Sequence, residues 1–117
     1  MGNFRKLTVW QKSRELAVSI YKLTKTSTFS KDFGLRDQIQ RAAVSIPANI
    51  AEGDELDTDK QSIRHFYIAK GSSAELQTLL LIATDIKYID TESLEHLENE
   101  CKIISVMLTR IIQARSK

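Results

Sequence analysis

The feature that most constrains the fold is a row of apolar residues, spaced alternately three and four apart, near the end of the chain. It runs through Leu94, Leu97, Cys101, Ile104, Leu108 and Ile111. On an α-helix this spacing places the side chains along one stripe, as in helices that pack against one another in a bundle. One proline and four glycines in 117 residues leave little material for a turn-rich β architecture. The sequence therefore predicts an all-α fold.

Three further segments show helical periodicity. The predicted helices cover residues 8–26, 31–52 and 58–87, and the fourth begins after Asp90 or Thr91. The connections are short, which favours antiparallel packing of consecutive helices. Residues 1–117 are thus predicted to form a single domain, an antiparallel up-down-up-down four-helix bundle.

Residues at the predicted helix ends support these boundaries. Ser30 is a possible N-cap of the second helix, and Gly53 is suited to ending it. Thr58 and Gln61 have the spacing of a capping box at the start of the third helix. We also expect Pro47 to bend the second helix.

The chain carries more apolar surface than one bundle core needs. The third predicted helix has one apolar seam through Phe66, Ala69, Ser73, Leu76, Leu80 and Ala83, and a second through Ile68, Ser72, Leu79, Ile82 and Ile86. In the second helix, Ala42–Ala51 contains no charged residue, although a monomer's helix should present a polar side to water. This pattern predicts a homo-oligomer; the alternative is a monomeric bundle in which Ala48 and Ala51 are tolerated surface alanines.

Polar residues form a narrow stripe on the second helix, within about 80° and beside its apolar face. The stripe consists of Gln38, Arg41, Ser45, Asn49 and Glu52. Glu75 of the third helix is expected to meet Arg41, because a charge beside a core needs a partner. We interpret these six residues as a structural polar network that fixes helix register. The alternative is a site for a phosphate or a base edge, with Arg41 binding the anion and Gln38 or Asn49 donating hydrogen bonds.

Residue patterns typical of catalytic or metal sites are not found in the sequence. His65 and His96 are expected to face solvent, and Cys101 lies on a core seam as a small buried hydrophobe. The Glu-x-x-His spacing of di-iron bundles does not occur. The small residues Gly71, Ser72 and Ser73 are expected to permit close helix approach. We therefore expect a protein that is not an enzyme and has no metal and no cofactor.

Charge is distributed unevenly along the chain. Residues 1–41 contain nine Lys/Arg and three Asp/Glu, whereas residues 42–117 contain eight and twelve. A basic segment of this kind is a weak indication of nucleic-acid binding. The candidate nucleic-acid-binding residues are Arg5, Lys6, Lys12, Arg14, Lys22 and Lys25.

The sequence also bears on cellular location. A single cysteine cannot form an intramolecular disulfide, and the N-terminal region lacks the apolar stretch of a secretion signal. The longest strongly apolar run, Leu79–Ala83, is far shorter than the roughly 20 residues that cross a bilayer. These observations predict a cytoplasmic protein with no membrane partner.

Three segments resemble a known family of small four-helix bundle proteins, encoded in intervening sequences of 23S rRNA genes. They are Leu7–Lys12 (LTVWQK), Gly34–Gly53 (GLRDQIQRAAVSIPANIAEG) and Phe66–Ala83 (FYIAKGSSAELQTLLLIA). The resemblance spans nearly the entire chain and implies a bundle that forms a homopentameric, barrel-like ring. It also implies kinship with accessory proteins of diversity-generating retroelements, which bind nucleic acid and a reverse transcriptase. It carries no catalytic activity to this chain.

The resemblance places all six residues of the polar network at positions that match polar motifs of the family, without assigning them a role. Two functional hypotheses follow. The first is a non-enzymatic homo-oligomer, a pentamer by resemblance, that binds RNA or DNA nonspecifically through its basic face. The second is a protein-interaction scaffold with a protein partner and no nucleic-acid binding.

Overall fold

Four long helices pack antiparallel into an elongated bundle of 45 × 20 × 20 Å. The structure is a computed structural model that describes residues 2–56 and 58–116, leaving the Ser27 side chain aside. A 3₁₀ turn, Phe4–Lys6, precedes the helices. These are α1 (Thr8–Leu23), α2 (Ser27–Lys31), α3 (Phe33–Glu55), α4 (Asp59–Asp85) and α5 (Thr91–Arg115). The predicted all-α bundle is confirmed, with α1, α3, α4 and α5 as its long members and α2 as a short addition.

The predicted start of the second helix, with Ser30 as its N-cap, is wrong. Ser30 lies inside the short helix α2, and the chain then starts α3 after Asp32. The Asp32 side chain caps α3 by accepting a hydrogen bond from the Leu35 backbone nitrogen at 3.1 Å. Its second carboxylate oxygen accepts from the Tyr88 hydroxyl at 2.9 Å. A tertiary contact therefore reinforces Asp32, and not Ser30, as the N-cap of the long helix.

The far end of α3 also differs from the prediction, because the helix, which contains Pro47 as expected, continues past Gly53 and ends at Glu55. Gly53 is needed for packing: a Cβ there would lie 2.8 Å from Phe66 Cε1 and 3.0 Å from the Ser62 carbonyl oxygen. The Ser62 hydroxyl donates to the Gly53 carbonyl oxygen at 2.6 Å. Helices α3 and α4 thus approach closely here.

The caps of the last two helices follow the sequence patterns. The Thr58 hydroxyl accepts a hydrogen bond from the Gln61 backbone nitrogen at 3.2 Å, which confirms it as the N-cap of α4. The Asp90 carboxylate accepts from the Ser93 backbone nitrogen at 2.7 Å at the start of α5. This hydrogen bond holds the pKa of Asp90 below its usual value.

The bundle core contains the predicted seams. On α5 the first five seam residues are buried, whereas Ile111 is half-buried and Ile112 is buried in its place. The first seam of α4 is buried along its whole length. Its second seam is not: three isoleucines remain exposed at 44–46%, namely Ile68, Ile82 and Ile86. The protomer therefore carries apolar surface beyond its core, as the sequence predicts.

Within the described part of the chain, no helix has the length and apolar character needed to cross a membrane.

Candidate nucleic-acid interface

Four of the six candidate basic residues lie along one side of the bundle. Arg14 and Lys22 line a recess on the outer side of α1, and Lys25 joins them beside α3. Arg5, in the 3₁₀ turn, lines an adjoining recess with Arg14. We call these four residues the basic surface.

The other two candidates are placed differently. Lys12 lies two residues before Arg14, which puts it about 160° away around the helix axis, and it is half-buried. Lys6 is exposed in the same turn as Arg5. The structure thus brings together Arg5, Arg14, Lys22 and Lys25 and separates Lys12 from them.

Aromatic side chains interleave with the cations at the start of α1. The Arg14 guanidinium lies over the Trp10 ring, 5.5 Å from its centroid. Phe4 meets the same ring edge-on, with centroids 5.1 Å apart and planes at 65°. The Gln11 side-chain nitrogen donates to the Arg5 carbonyl oxygen at 2.8 Å and so ties the turn to the helix. Together these residues line a recess of about 440 Å³.

A second recess, the α1–α3 groove, lies farther along the basic surface. Its apolar lining includes Val18, Tyr21, Val44 and Pro47, and its volume is about 370 Å³. Tyr21 and Val44 keep 41% and 43% of their surface exposed. Arg14, Lys22 and Lys25 also line the groove.

The electrostatic balance of this side of the bundle is positive. Among the described residues that line these recesses, the basic surface provides four cations, and Glu15 is the one carboxylate. The ion pairs in the described chain involve other residues: Arg36 with Asp37, Arg115 with Asp54, and His65 with Glu52. An anion that approaches α1 therefore meets a net positive field.

The polar stripe of α3 divides into two sets. Asn49 donates to the Ser45 carbonyl and hydroxyl oxygens at 2.8 and 3.0 Å, and the Ser45 hydroxyl bonds that of Ser72 at 2.8 Å. His65 Nδ1 donates to the Asn49 side-chain oxygen at 3.0 Å and lies 3.7 Å from the Glu52 carboxylate. These contacts link Ser45, Asn49 and Glu52 of α3 to α4.

Gln38, Arg41 and Glu75 are exposed and stand apart from these contacts. The expected ion pair between Arg41 and Glu75 does not form within the described protomer. Arg41 instead lines a recess with Tyr21 and Val44. The pair was expected because a charge beside the core needs a partner, but both side chains reach water and so need none.

The two histidines and the cysteine differ in how far they are buried. His96 is exposed as expected, but His65 is half-buried against Asn49, so the expectation of a solvent-facing His65 is wrong. Cys101 is buried, and burial raises the pKa of its thiol to about 11. The described residues contain no cluster of three or more His, Cys, Asp or Glu side chains arranged to hold a metal ion.

The small residues of α4 also need a correction. A Cβ at Gly71 would meet nothing within 4 Å, so this glycine is not required for close helix approach. Ser72 and Ser73 do lie at helix contacts. Ser72 bonds Ser45 of α3, and the Ser73 hydroxyl donates to the Cys101 carbonyl oxygen of α5 at 3.2 Å.

Helical periodicity assigns Trp10 and Tyr21 to the same apolar arc of α1 as Leu16, and so misses their place beside the cations. The sequence does contain one sign that the two rings lie on the same side of the helix, which is their spacing of eleven residues. Eleven residues make three helical turns, so the two rings lie within about 20° of each other on the edge of that arc. Phe4, outside the helix, has no such signal.

Comparison with known proteins decides the family. The sequence model of the 23S rRNA-intervening sequence proteins matches residues 5–110. The chain belongs to the 23S rRNA-intervening sequence protein family. All four residues of the basic surface lie within the part of the chain that matches this family.

A solved member of the S23 ribosomal protein family, from Bacteroides thetaiotaomicron, has a similar structure. It is a crystal structure of a protein with unknown function, and it superposes with a TM-score of 0.84. The two chains share 32% identity over 90% of this chain and 98% of the other. A search of curated proteins gave no significant match. The comparisons thus agree with the bundle fold, and they do not assign a function. A function has to be inferred from the surface of the protein.

Proposed function

We propose that this protein is a non-enzymatic, self-associating helical bundle that binds RNA or DNA nonspecifically through its basic surface. The observation that carries the proposal is the placement of Arg5, Arg14, Lys22 and Lys25 around adjoining recesses whose described lining includes one carboxylate. Lysine and arginine that contact phosphates release counterions from the nucleic acid, and this favours binding without regard to base sequence.

Self-association is the second part of the proposal. Ile68, Ile82 and Ile86 follow one side of α4 and remain 44–46% exposed; we call them the isoleucine face. Covering this face with another copy of the chain removes apolar surface from water. The family resemblance implies five subunits, and an odd-numbered ring requires each copy to present two different contact surfaces. Such an assembly repeats the basic surface once per subunit, so one long nucleic acid contacts several copies at once.

The binding part is tested by removing three cations from the basic surface. Fluorescence anisotropy with a labelled, structured RNA should show at least about tenfold weaker binding for Arg14→Ala/Lys22→Ala/Lys25→Ala, and a salt-dependence slope smaller by about three. The matched control is Arg110→Ala/Lys102→Ala/Lys60→Ala. It removes the same charges from exposed positions on α4 and α5. Equal weakening by both triple variants would show that net charge, and not this surface, governs binding.

The assembly part is tested by light scattering. The wild-type protein should give one species several times heavier than the 13.3 kDa chain. Ile82→Glu/Ile86→Glu should reduce the species to the monomer with unchanged helical circular dichroism, because both side chains are already half in water in the protomer. Val106→Glu is the control, since this exposed apolar residue lies on a different helix, α5, outside the isoleucine face. A single 13.3 kDa wild-type species would end the proposal of self-association.

A second candidate function is a scaffold for a protein partner, which the apolar lining of the α1–α3 groove favours. An amphipathic helix with acidic flanks fits a groove with an apolar floor and basic edges. This function predicts a partner that stays bound after nuclease treatment and is lost in Val44→Glu. If nuclease releases every bound protein, the scaffold function fails.

A further inference from the structure

We infer that the basic surface selects single-stranded nucleic acid, by stacking unpaired bases on Trp10 and Tyr21. This inference rests on the proposed nucleic-acid binding and adds the strandedness of the ligand. The observation behind it is the alternation of rings and cations along one side of α1.

Trp10 is the first stacking position. It is half-buried and held from two sides, since Phe4 meets its ring edge-on at 5.1 Å and the Arg14 guanidinium lies 5.5 Å from its centroid. The hydrogen bond from Gln11 to the Arg5 carbonyl oxygen fixes the turn that carries Phe4. The indole is thus held in place against the core, with the exposed Arg14 guanidinium over its ring. A base stacks either on that guanidinium or, once Arg14 moves aside to pair with its phosphate, on the indole itself.

Tyr21 is the second stacking position. It lies three turns beyond Trp10, about 16 Å along the helix and within about 20° of the same side. Its ring is 41% exposed and lines the α1–α3 groove with Lys22 and Lys25. Each ring thus has its own pair of cations, Arg5 and Arg14 near Trp10, and Lys22 and Lys25 near Tyr21.

This arrangement discriminates against a duplex. Bases in a duplex are stacked on one another and expose only their edges in the grooves, so rings on a protein surface find no free base face. Surfaces that bind single strands combine a positively charged track with aromatic side chains, and they tolerate any sequence because every base has a π-face. The basic surface provides both features along one side of α1, with Arg5 just before the helix and Lys25 just after it.

The sole tryptophan of the chain makes the inference directly measurable. Titration with a short RNA strand of mixed sequence should quench Trp10 fluorescence, because the base stacks against the indole. The same strand annealed to its complement should bind about tenfold more weakly and leave the fluorescence nearly unchanged.

Variants separate stacking from charge, and anisotropy with the labelled strand reports their affinity. Trp10→Leu should lose about tenfold in affinity for the single strand, whereas Trp10→Phe, which keeps a π-face, should stay within about threefold of wild type. Circular dichroism checks that both variants fold. Tyr21→Leu against Tyr21→Phe repeats the comparison at an exposed position and carries the test if Trp10→Leu does not fold.

The outcomes distinguish this inference from the function on which it rests. Binding of the strand and its duplex with equal affinity and without quenching overturns single-strand selection and leaves the proposed function standing. Wild-type affinity in a folded Trp10→Leu or Tyr21→Leu variant likewise overturns stacking at that ring. If neither form of the RNA binds at low salt, both the proposed function and the inference are overturned.

Discussion

Asp54 is a buried carboxylate whose charge is balanced by one neighbouring arginine. Its side chain is 4% exposed, and one carboxylate oxygen accepts from an Arg115 guanidinium nitrogen at 2.8 Å. The other oxygen, also buried, has no hydrogen-bond partner among the described residues. Arg115 in turn lies over the Phe66 ring, 5.0 Å from its centroid. The end of α5 is therefore joined to the end of α3 by a single compensated charge.

Removing the Arg115 side chain should lower the free energy of unfolding more than removing the negative charge of Asp54. We expect Arg115→Ala to lower the free energy of unfolding by about 3 kcal/mol, because it leaves a buried carboxylate without a partner. Asp54→Asn should cost about 1 kcal/mol, since Arg115 is 29% exposed and reaches water. Urea denaturation measures both values, and Arg115→Lys serves as the charge-preserving control. An Asp54→Asn variant less stable than Arg115→Ala would contradict the assignment.

Cys101 provides a pH-dependent test at the residue scale. Burial raises the pKa of its thiol from 9.0 to about 11, the charges of Glu98 and Glu100 add to this, and a hydrogen bond with Ser73 opposes it. Because the folded state holds the proton more tightly than the unfolded state, the contribution of this thiol to the free energy of unfolding should be level below pH 9 and fall as the pH rises from 9 to 11.

The same burial should protect the thiol from chemical modification. Labelling of Cys101 with a thiol reagent at pH 8 should be at least about a hundredfold slower in the native protein than in urea, since only the thiolate reacts. A native rate close to the denatured rate would show that the thiol is accessible.

At the scale of elements, two glycines inside long helices should respond oppositely to the same substitution. Gly71→Ala should raise the free energy of unfolding by about 1 kcal/mol, because alanine favours the helix and the site is open. Gly53→Ala should lower it by at least about 1 kcal/mol despite the same helix preference, since the added Cβ would lie 2.8 Å from Phe66 Cε1. Thermal unfolding of the two variants measures the contrast. The interpretation of α3–α4 packing fails if both variants shift stability in the same direction.

The helix boundaries show what can be predicted from local sequence and what cannot. Thr58 caps α4 as its spacing to Gln61 predicts, because that hydrogen bond spans three residues. The start of α3 depends on a contact that spans 56 residues, from the Tyr88 hydroxyl to Asp32, and Ser30 and Asp32 are both competent caps locally. Gly53 fits a helix end by its backbone preference, yet close packing against Phe66 keeps it inside α3. Tertiary contacts thus account for both boundary errors.

At the scale of the whole molecule, the sequence indicates only part of how the residues of the basic surface are grouped. Helical periodicity groups Arg14, Lys22 and Lys25, but Arg5 joins them through the hydrogen bond between its carbonyl oxygen and Gln11, which no periodicity reveals. Helical periodicity groups Trp10 and Tyr21 with the apolar residues of α1, because helix position alone does not show that these rings lie beside the cations. The predicted polar network is present only in part. Ser45, Asn49 and Glu52 make contacts that link α3 to α4, whereas Gln38, Arg41 and Glu75 stand apart from them.

The central claim, that the basic surface binds nucleic acid through phosphate contacts, is tested most directly by the salt dependence of binding. The binding constant of the assembled wild-type protein for a single-stranded RNA is measured by anisotropy from low to moderate salt. Four cations per subunit predict a steep linear fall of log K with log salt, with a slope of about −3 for each subunit that contacts the strand. Undetectable binding at low salt, or binding that salt leaves unchanged, would contradict the claim.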